Sequence, residues 1–422
     1  MSSRDTGRKD LSEYVSAAEA SRLLRVKPQT LYTYVSRGLI RSLAQEDKRA
    51  RLYYREDVDS MRTRSEARHG GGAESAMRWG QPVVNTAITE ISAEGPRYRG
   101  HAAIELARAG IAFENVAELL WTGVLHREPV QWDHDIVPEG IDRTMDSLAR
   151  QEPPLPMLRI FALATTILGA AESTKNEIQR GTTIAAARQL ILTLAGCLGY
   201  LADPPGFSHS RALPRLAAGV AQSLLPGASA AAVSAINSVL VLCADHELSS
   251  STFAARVAAS TGAELRACVL AAIGAHSGAL LGGGCDRAEV LLHGAASTAE
   301  LRQRIATAEA AGARIPGFNL VIYPRGDPRA RYLLELARTF APLSSRARLI
   351  ADFIDEVEER LHLRPSLEMG LVALAAALDL PQRSAGALWA LGRTAGWIAH
   401  VMEQRLAGFL LRPRARYIAA LG

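Results

Sequence analysis

Residues 384–409 read SAGALWALGRTAGWIAHVMEQRLAGF, and this stretch decides how most of the chain folds. Its apolar residues recur at the three- and four-residue spacing of a helix. The same spacing is found in the segments 101–121, 155–172, 182–202 and 228–243. Clusters of Gly, Pro and Asp separate these segments. We therefore predict an all-α body, mostly or wholly helical, in which Val83–Ile91 is the best of the few alternating strand patterns.

The composition is that of a globular protein. Of the 422 residues, 48% are apolar and 22% are charged, which excludes a disordered chain. No uninterrupted apolar run approaches eighteen residues and the N-terminus is polar, so we expect no membrane span and no signal peptide. The chain has four cysteines without metal-ligand spacing: Cys197, Cys243, Cys268 and Cys285. We predict that they are buried free thiols in a cytoplasmic protein. We expect no metal and no cofactor.

The positive charge is concentrated at the N-terminus. Residues 1–68 hold 15 Lys and Arg against 10 Asp and Glu, whereas the remaining residues hold 33 of each. A basic piece attached to a neutral body is typical of a nucleic-acid-binding module, although basic N-terminal arms are also often merely solvated. Residues 63–80, which include Gly70 to Gly72, lack an apolar period and predict a flexible linker.

The N-terminal piece contains two short predicted helices. Ser16 and Glu19 form a capping box at the start of the first. Pro28 suits the first turn of a second helix, Gln29 to Ser36, which we expect to end at Gly38. Two short helices with a tight turn, a basic hairpin wing and a further helix over Arg55–Met61 resemble the winged helix-turn-helix of the MerR and excisionase type.

This resemblance implies a set of DNA-contacting side chains on the second helix and the wing. Polar and basic groups in such positions reach base edges and phosphates. The set is Lys27, Gln29, Thr30, Thr33, Lys48, Arg49 and Arg51. The plainer alternative is that the module serves only for dimerisation or docking.

Several motifs of the body occur together in a fixed order. They are RYRGHAAIELARAGIAFENVAELLW at 97–121, LCADHELSSSTFAARVAASTGA at 242–263, RTAGWIAH at 393–400 and RPRARY at 412–417. In this order and at these separations they resemble the citrate synthase family, from about residue 81 to the C-terminus. The resemblance implies a helical homodimer or larger oligomer that condenses an acyl-CoA with oxaloacetate and releases CoA by hydrolysis.

The resemblance also implies a domain arrangement. We expect a helix-turn-helix module at 1–62, the linker at 63–80, a large domain formed by 81–282 and 381–422, and a small domain at 283–380. The active site of the family lies between the large and small domains. A simple helical dimerisation platform without a ligand is the plainer alternative.

The residues that hold substrate in the family are retained. His246 matches the histidine that hydrogen-bonds oxaloacetate. Arg329, Arg393 and Arg412 match the arginines that bind its carboxylates, the last reaching the partner subunit's site. Gly317 and Phe318 match the loop that approaches the acyl-CoA.

The catalytic residues depart from the family. Leu281 and Leu320 take the places of two histidines, and Glu368 takes the place of the catalytic aspartate. Leucine donates no hydrogen bond, and losing one preorganised donor costs about two to three powers of ten in rate. His276 could reach the site instead, although a lone histidine on an Ala-rich helix is more often structural; Asn319 could supply an amide donor.

Three functions remain open on these residues. The first is a ligand-sensing regulator, a pseudoenzyme whose cleft binds an oxo-acid or tricarboxylate, with or without a CoA thioester, and whose module binds DNA. The alternative is a citrate or methylcitrate synthase with altered chemistry that uses Glu368 as base. The third is a non-catalytic subunit that assembles with a citrate synthase paralogue. None of the three requires a membrane.

Overall fold

A computed structural model describes the chain in two units, Met1–Asn85 and Thr86–Gly422, here called the N-terminal and C-terminal units. The described residues are 14–24, 26–36, 40, 42–44, 51–55, 57–59, 84–133, 137–138, 140–149, 154–170, 177–208, 215–310, 313, 315–340 and 344–413. The predicted linker at 63–80 and the predicted helix end at Gly38 lie outside them. The division of the body into a large and a small domain stays a prediction.

The N-terminal unit combines a three-stranded antiparallel sheet with two helices. Strands β1 (Tyr14–Ser16), β2 (Ser42–Ala44) and β3 (Arg51–Tyr54) pair in the order β1-β3-β2. Helix α1 (Ala17–Leu24) is followed by α2 (Pro28–Ser36), which begins one residue earlier than predicted. The Ser16 hydroxyl accepts a hydrogen bond from the Glu19 N–H, which satisfies one of the free donors at the start of α1. The unit has its own apolar core: Val15, Ala20, Leu24, Leu31, Ile40, Tyr53 and Val58.

The C-terminal unit begins with a small sheet, so the body is mostly rather than wholly helical. Strands β4 (Thr89–Ser92), β5 (Gly95–Tyr98) and β6 (His101–Ala102) pair antiparallel in chain order. The strand predicted over Val83–Ile91 lies further along the chain, because pairing starts only where Thr89 faces Tyr98. The turn between β4 and β5 needs Gly95, whose φ is +109°.

Most of the other described residues of the C-terminal unit are helical. In chain order they are α3 (Ala103–Arg108), α4 (Phe113–Thr122), α5 (Ile141–Ala149), α6 (Met157–Ala170), α7 (Glu177–Arg180), α8 (Thr183–Cys197), α9 (Leu216–Leu224), α10 (Ala230–Cys243), α11 (Ser250–Ser260), α12 (Leu265–His276), α13 (Gly283–Leu292), α14 (Thr298–Ala310), α15 (Pro328–Phe340), α16 (Ser345–Leu361), α17 (Leu367–Ala377) and α18 (Ser384–Ala407). Gly110, whose φ is +65°, separates α3 from α4 within the predicted segment 101–121. Helix α4 ends at Thr122 and is capped by Gly123 in the left-handed conformation.

The long helix α18 is the centre of the unit, and it is buried along most of its length. Two of its glycines allow neighbouring backbone to come close. A Cβ on Gly396 would lie 2.4 Å from the Ala244 carbonyl oxygen, and one on Gly392 would lie 2.8 Å from that of Leu240. The Gly396 N–H donates to the Ala244 oxygen at 2.9 Å. This approach holds the segment after α10 against the middle of α18.

One stretch, Thr183–Leu201, is long and apolar enough to cross a membrane by length and composition. It comprises α8 and the 3-10 turn Leu198–Leu201 that follows. Because 67% of its most apolar window is buried inside the unit, it has the environment of a core helix. All four cysteines are buried and free, as predicted.

Candidate active site

The site is built on Arg393 of α18. Its side chain is 3% exposed, and its Nε donates to the Cys243 carbonyl oxygen at 3.0 Å. Burial lowers the pKa of Arg393, and the nearby Asp245 carboxylate opposes that shift. Among the described residues, no carboxylate makes an ion pair with this guanidinium. Arg393 therefore remains available for an anionic ligand.

A buried Asp245–His400 pair fixes the turn that carries His246. Both side chains are fully buried, and His400 Nε2 lies 3.2 Å from Asp245 Oδ2. Burial alone would raise the pKa of Asp245, but His400 and Arg393 outweigh burial and lower it. The aspartate is thus ionised, and the adjacent His246 is held on a rigid support.

His246 and Arg329 meet at Tyr323. The Tyr323 hydroxyl lies 3.0 Å from His246 Nε2, and the Arg329 guanidinium carbon lies 5.8 Å from the Tyr323 ring centroid. Burial, Arg329 and Arg393 lower the pKa of His246 well below its ordinary value, so its imidazole is neutral at pH 7. A neutral imidazole can donate a hydrogen bond to a ketone or carboxylate oxygen.

Arg329 is itself held by Asp327. Its Nη2 and Nε lie 2.7 Å and 3.1 Å from the two Asp327 oxygens, and both residues are buried. Burial by itself would lower the pKa of Arg329, whereas the Asp327 carboxylate raises it by more. The third nitrogen, Nη1, is buried and has no hydrogen-bond partner in the described part of the chain. A buried donor without a partner is costly, and a ligand oxygen at this position would remove that cost.

The Glu368 carboxylate lies at the start of α17 beside a glycine turn. The Ser366 hydroxyl donates to its Oε2 at 2.5 Å. A Cβ on Gly284 would come within 2.9 Å of Glu368 Cγ, so glycine is needed there.

The Cys243 thiol lies within electrostatic range of this carboxylate and of the two cations. Burial raises the pKa of Cys243 to about 12, and the charges of Arg329, Arg393 and Glu368 all lie close enough to act on it. The base and the two cations predicted from sequence therefore share one neighbourhood.

The two leucines that the resemblance aligns with histidines lie in segments close to Glu368. Leu281 precedes the glycines that lead into α13, and Leu320 follows the loop 317–319. Both side chains are half-buried. A Cβ on Gly317 would lie 2.8 Å from the Met369 side chain, next to Glu368. The segments that carry the two leucines thus pack against the start of α17.

Three predicted residues have settings that limit their roles. The Phe318 ring is buried and packs edge-on against Phe353, which leaves the loop backbone rather than the ring for an acyl-CoA. The Asn319 side-chain oxygen accepts the Arg364 N–H at 2.8 Å and so fixes the loop. Arg412 is exposed, and its neighbour Leu411 is bonded to Ser260 at the C-terminal end of α11.

The position of Arg412 separates it from the other substrate residues of the same chain. His246 lies just before α11, a helix of 11 residues. At 1.5 Å per residue, the two ends of this helix are about 16 Å apart. The structure therefore brings His246, Arg329 and Arg393 together, but it leaves Arg412 at the far end of α11.

The predicted DNA-contacting residues lie in the N-terminal unit. Lys27, Gln29 and Thr33 are exposed on or just before α2, Thr30 is half-buried, and Arg51 is exposed on β3. Lys48 and Arg49 lie outside the described residues. The exposed Tyr32 shares the outer face of α2 with Gln29 and Thr33.

Two site residues, Tyr323 and Asp327, were not predicted. Asp327 stands two residues before Arg329 in DPRA, a spacing that permits the observed ion pair. No sequence motif pointed to Tyr323, because its hydroxyl meets its partner His246 only when the segment after α10 packs against the 317–327 loop in the folded chain. Among the described residues, no group of three His, Cys, Asp or Glu could hold a metal ion.

Comparison with known proteins gives one consistent result. Residues 76–414 match the family model described as "Citrate synthase, C-terminal domain". The chain is 35% identical over 191 residues to "Putative citrate synthase 2" of Mycobacterium tuberculosis, a match that covers 44% of this chain and about half (51%) of that relative. It is 27% identical over 359 residues to "2-methylcitrate synthase" of the same species, covering 80% of this chain and 88% of that protein.

A solved structure has the same fold. It is the ternary complex of citrate synthase from Thermoplasma acidophilum with carboxymethyl coenzyme A and oxaloacetate, which superposes with a TM-score of 0.72. The superposition covers 81% of this chain and 95% of that one at 21% sequence identity.

Proposed function

The chain belongs to the citrate synthase family, and we propose that it is an enzyme of the citrate or methylcitrate synthase type that condenses an acyl-CoA with oxaloacetate. The observation that carries this proposal is the anion site formed by Arg329 and Arg393. Among the described residues, the Arg329 guanidinium has a buried nitrogen without a hydrogen-bond partner, and the Arg393 guanidinium makes no ion pair with a carboxylate. Two cations beside a neutral imidazole suit a dicarboxylate that also carries a ketone.

The chemistry proposed for the site follows from its groups. Glu368 removes a proton from the α-carbon of the acyl-CoA, and the resulting enolate carbon forms a bond with the ketone carbon of oxaloacetate; the C=O π bond opens and the ketone oxygen takes up a proton to become the hydroxyl of the product. His246 donates to a ligand oxygen, and Arg329 and Arg393 hold the carboxylates. Water then hydrolyses the thioester and CoA leaves. The proposed steps use only these side chains, water and the two substrates, and the acyl-CoA enters as a substrate rather than as a cofactor.

Turnover is expected to be slow. With leucine at positions 281 and 320, two preorganised donors are missing, and each is worth about two to three powers of ten in rate, although such effects do not simply add. The test is release of free CoA thiol from acetyl-CoA or propionyl-CoA in the presence of oxaloacetate. Release that requires both substrates and is lost in Glu368→Gln supports the proposal. No release at substrate saturation contradicts it.

A second function is favoured by the same two leucines together with the N-terminal unit. In this alternative the cleft binds oxaloacetate or citrate without turnover, and the ligand changes how a winged helix-turn-helix of MerR type binds DNA. The exposed face of α2, with Gln29 and Thr33 and the preceding Lys27, would contact the DNA. The discriminating result is absence of thiol release combined with a DNA affinity that changes when oxaloacetate is added. Assembly with a citrate synthase paralogue would instead be detected by co-purification.

A further inference from the structure

The imidazole of His276 is a buried polar group with no hydrogen-bond partner among the residues that the structure describes. It is the last residue of α12 and is 2% exposed. Within that part of the chain neither Nδ1 nor Nε2 has a partner, and the same is true of the neighbouring Trp389 Nε1. Unpaired buried polar groups are rare in native proteins, and each one calls for an explanation such as strain or a bound ligand.

The aromatic neighbours of His276 place it over Arg393. Its ring packs edge-on against Trp389, with centroids 4.9 Å apart, and against Trp397 at 5.4 Å. These tryptophans are eight residues apart on α18, so they share one face of that helix, with Arg393 midway between them. Because the His276 ring contacts both tryptophans, it lies over the part of α18 that carries Arg393.

The other side of the ring faces the turn that carries Leu281. The Gly282 N–H donates to the His276 carbonyl oxygen at 2.8 Å. A Cβ on Gly282 would lie 2.9 Å from His276 Nε2, so only glycine allows the ring to approach the turn this closely. His276 thus lies between Arg393 and the position at which the family's histidine is replaced by leucine.

We propose that His276 is a substrate-contacting residue, whose ring N–H hydrogen-bonds an oxygen of the oxaloacetate held by Arg393. This inference rests on the proposed function of the same site. Burial does not separate His276 from the ligand residues, since Arg329 and Arg393 are only 2% and 3% exposed. Burial and the nearby Arg393 lower the pKa of His276 to about 3, so the ring donates as a neutral group at pH 7.

A ligand role and a packing role predict different effects of His276→Leu on the affinity for oxaloacetate. An imidazole without partners is costly to bury, and leucine fills a similar apolar space without unsatisfied nitrogens. If the ring serves the ligand, the variant melts at the same or a higher temperature, while its affinity for oxaloacetate falls about ten- to a hundredfold, the range for a hydrogen bond to a charged group. If the ring only packs, the affinity for oxaloacetate does not change.

The experiment is calorimetric titration of oxaloacetate into the full-length wild type, His276→Leu, His276→Gln and the control His293→Asn. Gln keeps a side-chain N–H donor, so we expect it to retain more affinity than Leu does. His293 is an exposed histidine hydrogen-bonded to Gln382, which stands just before α18 and eleven residues before Arg393, and its variant should bind as the wild type does.

The outcomes separate this inference from the proposed function. Equal affinity in a folded His276→Leu and the wild type overturns the inference alone. If His276→Leu loses both stability and affinity, recovery of affinity in His276→Gln supports the inference, and equal loss in the two variants overturns it. A wild type that binds no oxaloacetate overturns the proposed function itself.

A measurement on the wild type covers the case in which His276→Leu does not fold. The ring nitrogens of the histidines are labelled and their NMR signals followed as oxaloacetate is added. A signal of the neutral, buried His276 ring that shifts on saturation supports the inference. An unchanged signal from that ring overturns it.

Discussion

The buried Arg329–Asp327 pair should be the most sensitive ionic contact of the site to substitution. In Asp327→Asn the Arg329 charge stays buried but loses its carboxylate, since both side chains are at most 3% exposed. Breaking a buried pair on one side costs about 3–5 kcal/mol. The unfolding entropy is about 2.1 cal/mol/K per residue, or about 0.7 kcal/mol/K for a unit of this length, so the melting temperature should fall by about 4–7 °C.

The assay is thermal unfolding followed by circular dichroism, with Asp355→Asn as the matched control. Asp355 pairs with Arg338 on the surface, where both side chains are about half exposed, at 49% and 50%. Exposed pairs contribute about 0–1 kcal/mol, so this control should melt within about 1.5 °C of the wild type. Oxaloacetate should recover part of the loss in Asp327→Asn, because its carboxylate can pair with Arg329. Equal melting temperatures for the two variants would refute the reasoning.

Three further predictions concern the cleft. Tyr323→Phe removes the hydroxyl that contacts His246 and should weaken oxaloacetate binding about three- to tenfold by calorimetry, the effect of one hydrogen bond. The unfolded chain protonates His276 below about pH 6.5, whereas the folded chain does so only near pH 3, so the free energy of unfolding falls as the pH falls between these values. His276→Leu removes this group and should reduce the pH dependence of the free energy of unfolding, measured by urea unfolding, by up to about 1.4 kcal/mol per pH unit. Gly284→Ala would force the Glu368 carboxyl to move and should lower any CoA thiol release by about a hundredfold with little change in oxaloacetate binding.

The helical body could be predicted because its signal is local. Apolar spacing marked the stretch that became α18, and the helix ends where glycine permits the left-handed conformation, at Gly408. The small sheet was misplaced because a strand forms only where a partner strand is present, and pairing of Thr89 with Tyr98 is not visible in the alternation of residues 83–91.

The residues of the candidate site were proposed from motifs, but their contacts could not be predicted. His246, Arg329 and Arg393 stand in motifs, whereas the partners that tune them come from other elements. The Tyr323 hydroxyl reaches His246 across 77 residues of sequence. For His276 the sequence favoured a structural role. The proposed contact with the ligand rests on the packing of its ring against two tryptophans next to Arg393, which the sequence does not reveal.

The measurement that tests the central claim most directly is release of free CoA thiol by the purified full-length protein with oxaloacetate and either acetyl-CoA or propionyl-CoA. The claim is that this cleft still performs condensation with Glu368 as the base. It predicts slow thiol release that requires both substrates and disappears in Glu368→Gln, while that variant still binds oxaloacetate. Absence of release from the wild type, with oxaloacetate still raising its melting temperature, would contradict the claim and favour the ligand-sensing alternative.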